Sequence, residues 1–151
     1  MNVLIFGFQN NISRDVVSKT KGQIAKYYLN SNIDDIKDFV INTDFGKYDY
    51  VIGCGSYSGK DRGCIRIETK CNSQFRNSKD KLEIKYISYF MKPETSIKLA
   101  SGIGNSWCNL VSYMIMKKSP DTKYTFLHIP KSFNGIKAAE IISEQLKSII
   151  T

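Results

Sequence analysis

In Tyr124-Thr125-Phe126-Leu127-His128-Ile129-Pro130 an apolar run carries the one histidine of this 151-residue chain and is closed by a proline. Such a run, ended by a breaker, predicts a buried strand. His128 falls near its carboxyl end. Any imidazole base working at neutral pH must be this residue, because no other side chain titrates there unperturbed. Upstream, Asn105-Ser106-Trp107-Cys108-Asn109 opens a helical pattern. A cysteine at a helix start and a histidine at a strand end are the parts of a thiol nucleophile and its base. The plain alternative is a buried histidine satisfied by a backbone carbonyl.

Outward from these segments, strands and helices alternate. Asn2 to Phe8 predicts a first strand buried on both faces, and Asn11-Ile12-Ser13 a helix cap with an amphipathic helix running to about Leu29. Ile36 to Ile41 and Tyr48 to Cys54 predict the second and third strands, the latter stopped by Gly53 and Gly55. After the loop Gly55-Ser56-Tyr57-Ser58-Gly59 comes Cys64-Ile65-Arg66-Ile67-Glu68, whose alternation puts Cys64, Arg66 and Glu68 on one face. Lys70 to Asp80 reads as an exposed loop, and Leu82 to Tyr89 and Ser96 to Ala100 as strands. Gly102-Ile103-Gly104 breaks the chain, Ser106 caps a helix to about Met116, and Asn134 starts a last helix with Ile136, Ala139, Ile142, Leu146 and Ile149 on one side. This order implies an α/β protein, with a largely parallel sheet between helices. Ligands of such sheets bind beyond the carboxyl ends of the strands, where Phe8, Gly55, Glu68 and His128 are all expected.

Composition bounds the class. At 42% hydrophobic residues the chain supports one domain, residues 1–151, with a real core. The N-terminus lacks the basic start of a signal peptide and no stretch is long and apolar enough to span a membrane, so a cytoplasmic protein with reduced thiols is expected. Cys54, Cys64, Cys71 and Cys108 show no CxxC spacing, and one histidine excludes two-histidine zinc motifs, so no metal is expected. The net charge of +8 raises nucleic acid as a partner. Basic residues do concentrate between Lys60 and Lys85, but Asp61, Glu68, Asp80 and Glu83 interrupt them and no recognition motif is present. A solvated basic face is the better reading, with a field that would also attract anionic substrates.

Cys108 in the first turn of its helix meets free N–H groups and the positive end of the dipole, which favour a thiolate. The same groups, with Gly104 and Asn105, are candidates for an oxyanion hole. A small apolar side chain packing a helix start accounts for the cysteine equally well. Glu68 is either the group that orients His128 or a rim carboxylate paired with a lysine.

Taken together, the segments resemble pyroglutamyl peptidase I, the pyrrolidone-carboxylate peptidase family of cytosolic cysteine peptidases that remove N-terminal pyroglutamate. Gly7-Phe8 matches the Gly-Phe ending its first strand, and Asn11-Ile12-Ser13 the Asn-Pro-Ser opening its first helix. Ile65-Arg66-Ile67-Glu68 matches the strand closing on its glutamate. Ile103 to Asn109 matches its Ala-Gly-x-x-x-Cys-Asn, and Phe126 to Pro130 its Phe-Ile-His-Val/Ile-Pro. The resemblance implies a shortened, divergent member: a three-layer α/β/α fold with a mixed, mostly parallel sheet. It implies a triad of Cys108, His128 and Glu68, a peptide substrate, no cofactor, and assembly into a homo-oligomer. It implies substrate contacts from Phe8 and from an arginine downstream of the glutamate, for which Arg76 is the nearest candidate.

Where the family continues Gly-Phe as x-Pro-Phe-Gly-Gly, this chain reads Gln9-Asn10-Asn11, and where the family has Gly-Gln-Ala-Gly-Gly it reads Gly55 to Gly59. A second phenylalanine and a glutamine of the specificity pocket are therefore absent, and Tyr57 and Trp107 are the candidates to replace the lost wall. Three readings follow. The first is pyroglutamyl peptidase chemistry. The second is a cysteine amidase or peptidase with a different N-terminal specificity. The third is a non-catalytic protein that binds an anionic partner.

Overall fold

A computed structural model describes residues 1–59, 63–76, 84–87 and 90–150. The parts of the expected loop and strand at 77–83, 88 and 89, and the charged residues 60–62, lie outside them. Strand β1, Val3–Phe8, is buried throughout. It is flanked by parallel partners β2, Ile24–Leu29, and β3, Tyr50–Tyr57. Beyond β3 lie β8, Tyr124–Pro130, then β4, Ile65–Glu68, and β7, Ile97–Ala100, in the order β2-β1-β3-β8-β4-β7. β8 is parallel to β3 but antiparallel to β4, which makes the sheet mixed.

Helices cover both faces. On one, α2, Ile33–Asn42, and α3, Trp107–Lys118, enclose a core with Phe6, Phe39, Tyr124 and Phe126. On the other, α1, Ile12–Lys19, and α4, Gly135–Ile150, cover Ile5, Ile52, Ile67 and Leu127. A two-stranded ribbon of β5, Lys70–Asn72, and β6, Ile84–Tyr86, lies beside the main sheet. The three-layer α/β/α arrangement expected from the sequence is the one observed.

Four expectations need correction. The first helix does not reach Leu29. It stops at Lys19, and after Gly22 (φ +130°) the chain becomes edge strand β2. Apolar residues in Ile24-Ala25-Lys26-Tyr27-Tyr28-Leu29 satisfy helical spacing, but Gly22 interrupts the helix and the aromatic pair favours a strand. Ile36 to Ile41 is helix, not strand. Asn32 caps α2 by accepting from the Asp35 N–H, Asp34 and Asp35 complement its first turn, and Ile36, Phe39 and Val40 form its buried stripe. Lys70 to Asn72 is a strand with Cys71 fully buried rather than exposed loop. In α4, Ile136 is 53% exposed, outside the apolar face it was expected to share.

Gly7 shows why β1 ends as it does. A Cβ there would sit 2.9 Å from the Ser13 carbonyl oxygen and from Val17 Cγ2, so α1 can cross the strand only where a side chain is missing. The approach lets Ser13 Oγ accept from the Phe8 N–H at 2.8 Å. Gly7→Ala is expected to cost about 1–3 kcal/mol by forcing α1 off the strand. Urea unfolding of the variant beside wild type measures it.

Candidate active site

β3 and β8 end together at one edge of the sheet, where His128 pairs in register with Gly55. Tyr124, Phe126 and His128 alternate with Thr125, Leu127 and Ile129 along β8, so His128 shares the face that α3 covers. Cys108, second residue of α3, lies over Gly55. A Cβ on Gly55 would be 2.5 Å from Cys108 Sγ and 2.9 Å from the Phe126 ring. Only a glycine leaves the sulfur that place, one strand across from the histidine, and neighbouring strands are about 4.8 Å apart.

Glu68 does not sit where the topology argument put it. Because β4 runs antiparallel to β8, its carboxyl end points away from the edge, and Glu68 pairs with Phe126 while Arg66 is level with His128. The carboxylate is fully buried beneath the histidine. Its Oε1 lies 2.7 Å from His128 Nδ1, and its Oε2 accepts from the Gly102 N–H at 3.1 Å. Arg66 Nε is 3.4 Å from the same Oε1. With Nδ1 committed to the carboxylate, Nε2 is the ring nitrogen left to work toward the cleft.

The cleft has a volume of about 680 Å³. Cys108 and His128 line it, with Phe8, Tyr57, Gly104 and Trp107 from the predicted set. Phe8 is only 1% exposed, so it offers little more than an edge to the cleft. Among the described residues, Arg76 and Asn105 do not line it. Arg76 lies over the Trp107 ring, 4.4 Å from its centre, and its carbonyl accepts from the Asn105 side chain at 2.7 Å. That pair braces the rim. Arg76 takes a left-handed conformation (φ 52°) to do so. No group of three or more His, Cys, Asp or Glu side chains is gathered for a metal ion among the described residues.

Three contributors escaped the sequence reading. Arg66 was placed on the correct face by alternation but given no role. Asn109 is fully buried. Its amide donates to the carbonyls of Asn72 and Gln74 and its oxygen accepts from the Asn72 N–H, tying the start of α3 to β5. Lys131 and the polar residues Asn10, Ser31, Ser56 and Ser58 also line the cleft. Only adjacency to the recognised motifs could have suggested these last residues.

The downward pull expected from the helix start on the Cys108 thiol is outweighed. Burial and the nearby Glu68 carboxylate push it up to about 12, against a smaller downward pull from its own backbone N–H. Burial also raises Cys71 to about 12 and Cys54 further still. Ser106 occupies the N-cap of α3 but makes no side-chain cap hydrogen bond. The first-turn N–H groups of α3 therefore receive no cap from that side chain.

No protein-family model matches the sequence, and no curated protein matches it at a significant level. Solved structures do match. Pyrrolidone carboxyl peptidase from Thermus thermophilus superposes with a TM-score of 0.72 at 14% identity, covering 96% of this chain and 98% of that one. The enzyme from Thermococcus litoralis gives 0.71 at 14% identity, covering 97% and 91%. Pyroglutamyl peptidase I from Bacillus amyloliquefaciens gives 0.69 at 15%, covering 97% and 93%. The class is therefore a three-layer α/β/α protein with a mixed sheet. Within that class the fold is that of the pyrrolidone carboxyl peptidases, carried by a strongly diverged sequence.

A thiol held neutral reacts only through its small thiolate fraction. Alkylation of Cys108 by iodoacetamide, followed by peptide mapping, should therefore accelerate about tenfold per pH unit from about pH 7 to about pH 10. A plateau near neutrality would mean that a standing thiolate–imidazolium pair exists instead.

Proposed function

We propose that the protein is a cysteine peptidase that removes a small N-terminal residue, pyroglutamyl or a relative of it, from peptides. The observation that carries this reading is the buried 2.7 Å contact between His128 and Glu68 at the floor of a cleft that Cys108 also lines. Cys108 Sγ attacks the carbonyl carbon of the first residue as its proton passes to His128 Nε2. The carbonyl oxygen becomes an oxyanion facing the uncapped N–H groups that open α3. As the intermediate collapses, the C–N bond breaks and His128 returns the proton to the leaving amine. A water, deprotonated by His128, then hydrolyses the thioester. Glu68 holds the Nδ1–H tautomer and stabilises the imidazolium formed on the way.

The pocket argues for a shifted specificity. A lactam is flat, uncharged and without a free amine, and its site needs apolar walls with a few placed polar groups. Here Phe8 is almost covered, while Asn10, Ser31, Ser56, Ser58 and Lys131 give the cleft a polar lining. Tyr57 and Trp107 are its substitute aromatic surfaces. This favours, as a second reading, the same chemistry on a more polar N-terminal group.

Chromogenic pyroglutamyl, alanyl, prolyl and glutamyl amides distinguish the two. Weak pyroglutamyl turnover is expected, reduced by roughly 1–3 kcal/mol of discrimination for each lost contact. Cys108→Ala should abolish hydrolysis of every amide, and Glu68→Gln should lower kcat by about 10²–10⁴-fold. Faster turnover of another amide supports the second reading. Absence of any Cys108-dependent hydrolysis would leave an anion-binding protein on a peptidase fold.

A further inference from the structure

Arg66 is not used by the proposed triad, yet it stands at the triad's centre. It faces His128 across the β4–β8 register. Its Nε lies 3.4 Å from Glu68 Oε1, the oxygen that His128 Nδ1 also contacts. Its guanidinium carbon is 4.3 Å from the centre of the Tyr57 ring, and that ring stands 5.9 Å from the His128 ring. A Cβ on Gly102 would come within 3.2 Å of Arg66 Nη2, so the glycine that donates to Glu68 also leaves the guanidinium its room. The Arg66 side chain is 12% exposed, and its Nε is buried with no hydrogen-bond partner among the described residues. It therefore acts on Glu68 through charge rather than through a formed hydrogen bond.

We propose that Arg66 is a positioning residue: it shares the Glu68 carboxylate with His128 and so keeps the imidazole neutral at the pH where it must accept the Cys108 proton. The inference rests on the reading of His128 as the base. A buried carboxylate with a single imidazole partner would draw a proton onto that ring and block Nε2 as an acceptor. A fixed cation on the same oxygen supplies the compensation that a standing imidazolium would otherwise give. Tyr57 holds the guanidinium flat beside the carboxylate. Among the described residues, the other charged or titratable groups that line the cleft with His128 are Cys108 on α3, Tyr57 on β3 and Lys131 just beyond β8, while Lys98 on β7 is the register partner of Arg66. Lys131 is exposed, where solvent and salt screen it.

Because the chain has one histidine, its ring-proton NMR signals give a single titration curve in the intact protein. Arg66→Met should raise that midpoint by about one pH unit, a tenfold gain in proton affinity. The acid limb of kcat/KM on whichever amide is turned over should rise with it. Arg66→Lys, which keeps the charge but loses the planar stack on Tyr57, should bring the midpoint part of the way back to wild type. A folded Arg66→Met with an unmoved midpoint overturns the inference. If that variant does not fold, Tyr57→Leu removes the platform under the guanidinium and should raise the midpoint by about half a unit, and an unmoved midpoint there overturns it equally. The two proposals fail separately. A shifted midpoint in a protein that hydrolyses nothing ends the peptidase reading and keeps the Arg66 role, and hydrolysis with an unmoved midpoint does the reverse.

Discussion

The contact between Glu68 and His128 is the constraint around which the site is arranged. A carboxylate taken wholly out of water costs several kcal/mol unless charges and donors surround it. Glu68 meets that demand with three contacts from three parts of the chain: His128 on β8, the Gly102 N–H in the loop after β7, and Arg66 two residues earlier on its own strand. The contacts with His128 and Gly102 come from distant segments, so the site exists only once β4 has docked beside β8. The reversed direction of β4 follows from the same demand. A parallel β4 would bring its last residue to the cleft mouth, in water. The antiparallel pairing instead sends Glu68 under the histidine and leaves Arg66 level with it.

Cys108 is placed by backbone more than by side chains. Gly55 vacates the space that Cys108 Sγ fills, and Gly104 (φ +85°) adopts a conformation that L side chains rarely take, just before α3 begins. Asn109 then fixes the helix start from behind by spending its whole amide on β5 and the residues after it. An apolar replacement there would remove three part-buried hydrogen bonds to the backbone, each worth about 0.5–1.5 kcal/mol. The Asn of the Cys-Asn pair is thus a structural anchor whose effect reaches the thiol through the helix it holds.

What the sequence made legible follows from which signals are local. β1 and β8 are apolar runs too short for helices and ended by clear breakers, and α3 follows a glycine break and a serine. Their positions and the motif residues on them could be read directly. Ile24 to Leu29 and Ile33 to Asn42 were exchanged between strand and helix because both are short and their apolar residues fit either period. Gly22 and the Asn32-x-x-Asp35 cap decide them, and both signals lie outside the apolar pattern itself. The direction of β4 was not readable at all. A four-residue strand carries no mark of parallel or antiparallel pairing, and the depth of Glu68 depends on that pairing. Arg66 shows the intermediate case: alternation placed it on the face of Glu68, but its role depends on a cross-strand register that only the folded sheet defines.

If the site performs the proposed chemistry, the electrostatic balance explains why a basic partner is needed where an anion forms. With Glu68 ionised and close by, a free Cys108 thiolate would add a second negative charge in a poorly solvated place, and the thiol stays protonated. A proton moved from Cys108 to His128 changes this balance without changing the total charge. The imidazolium then lies between the thiolate and the carboxylate, and both anions face a cation. Transfer therefore becomes favourable as the sulfur begins to form its bond to carbon and its charge passes to the oxyanion. A cysteine kept neutral in this way resists oxidation and stray alkylation between turnovers. On the proposed mechanism the cost is that activation needs a histidine free to accept a proton when substrate arrives, which is the condition proposed above for the charge on Arg66.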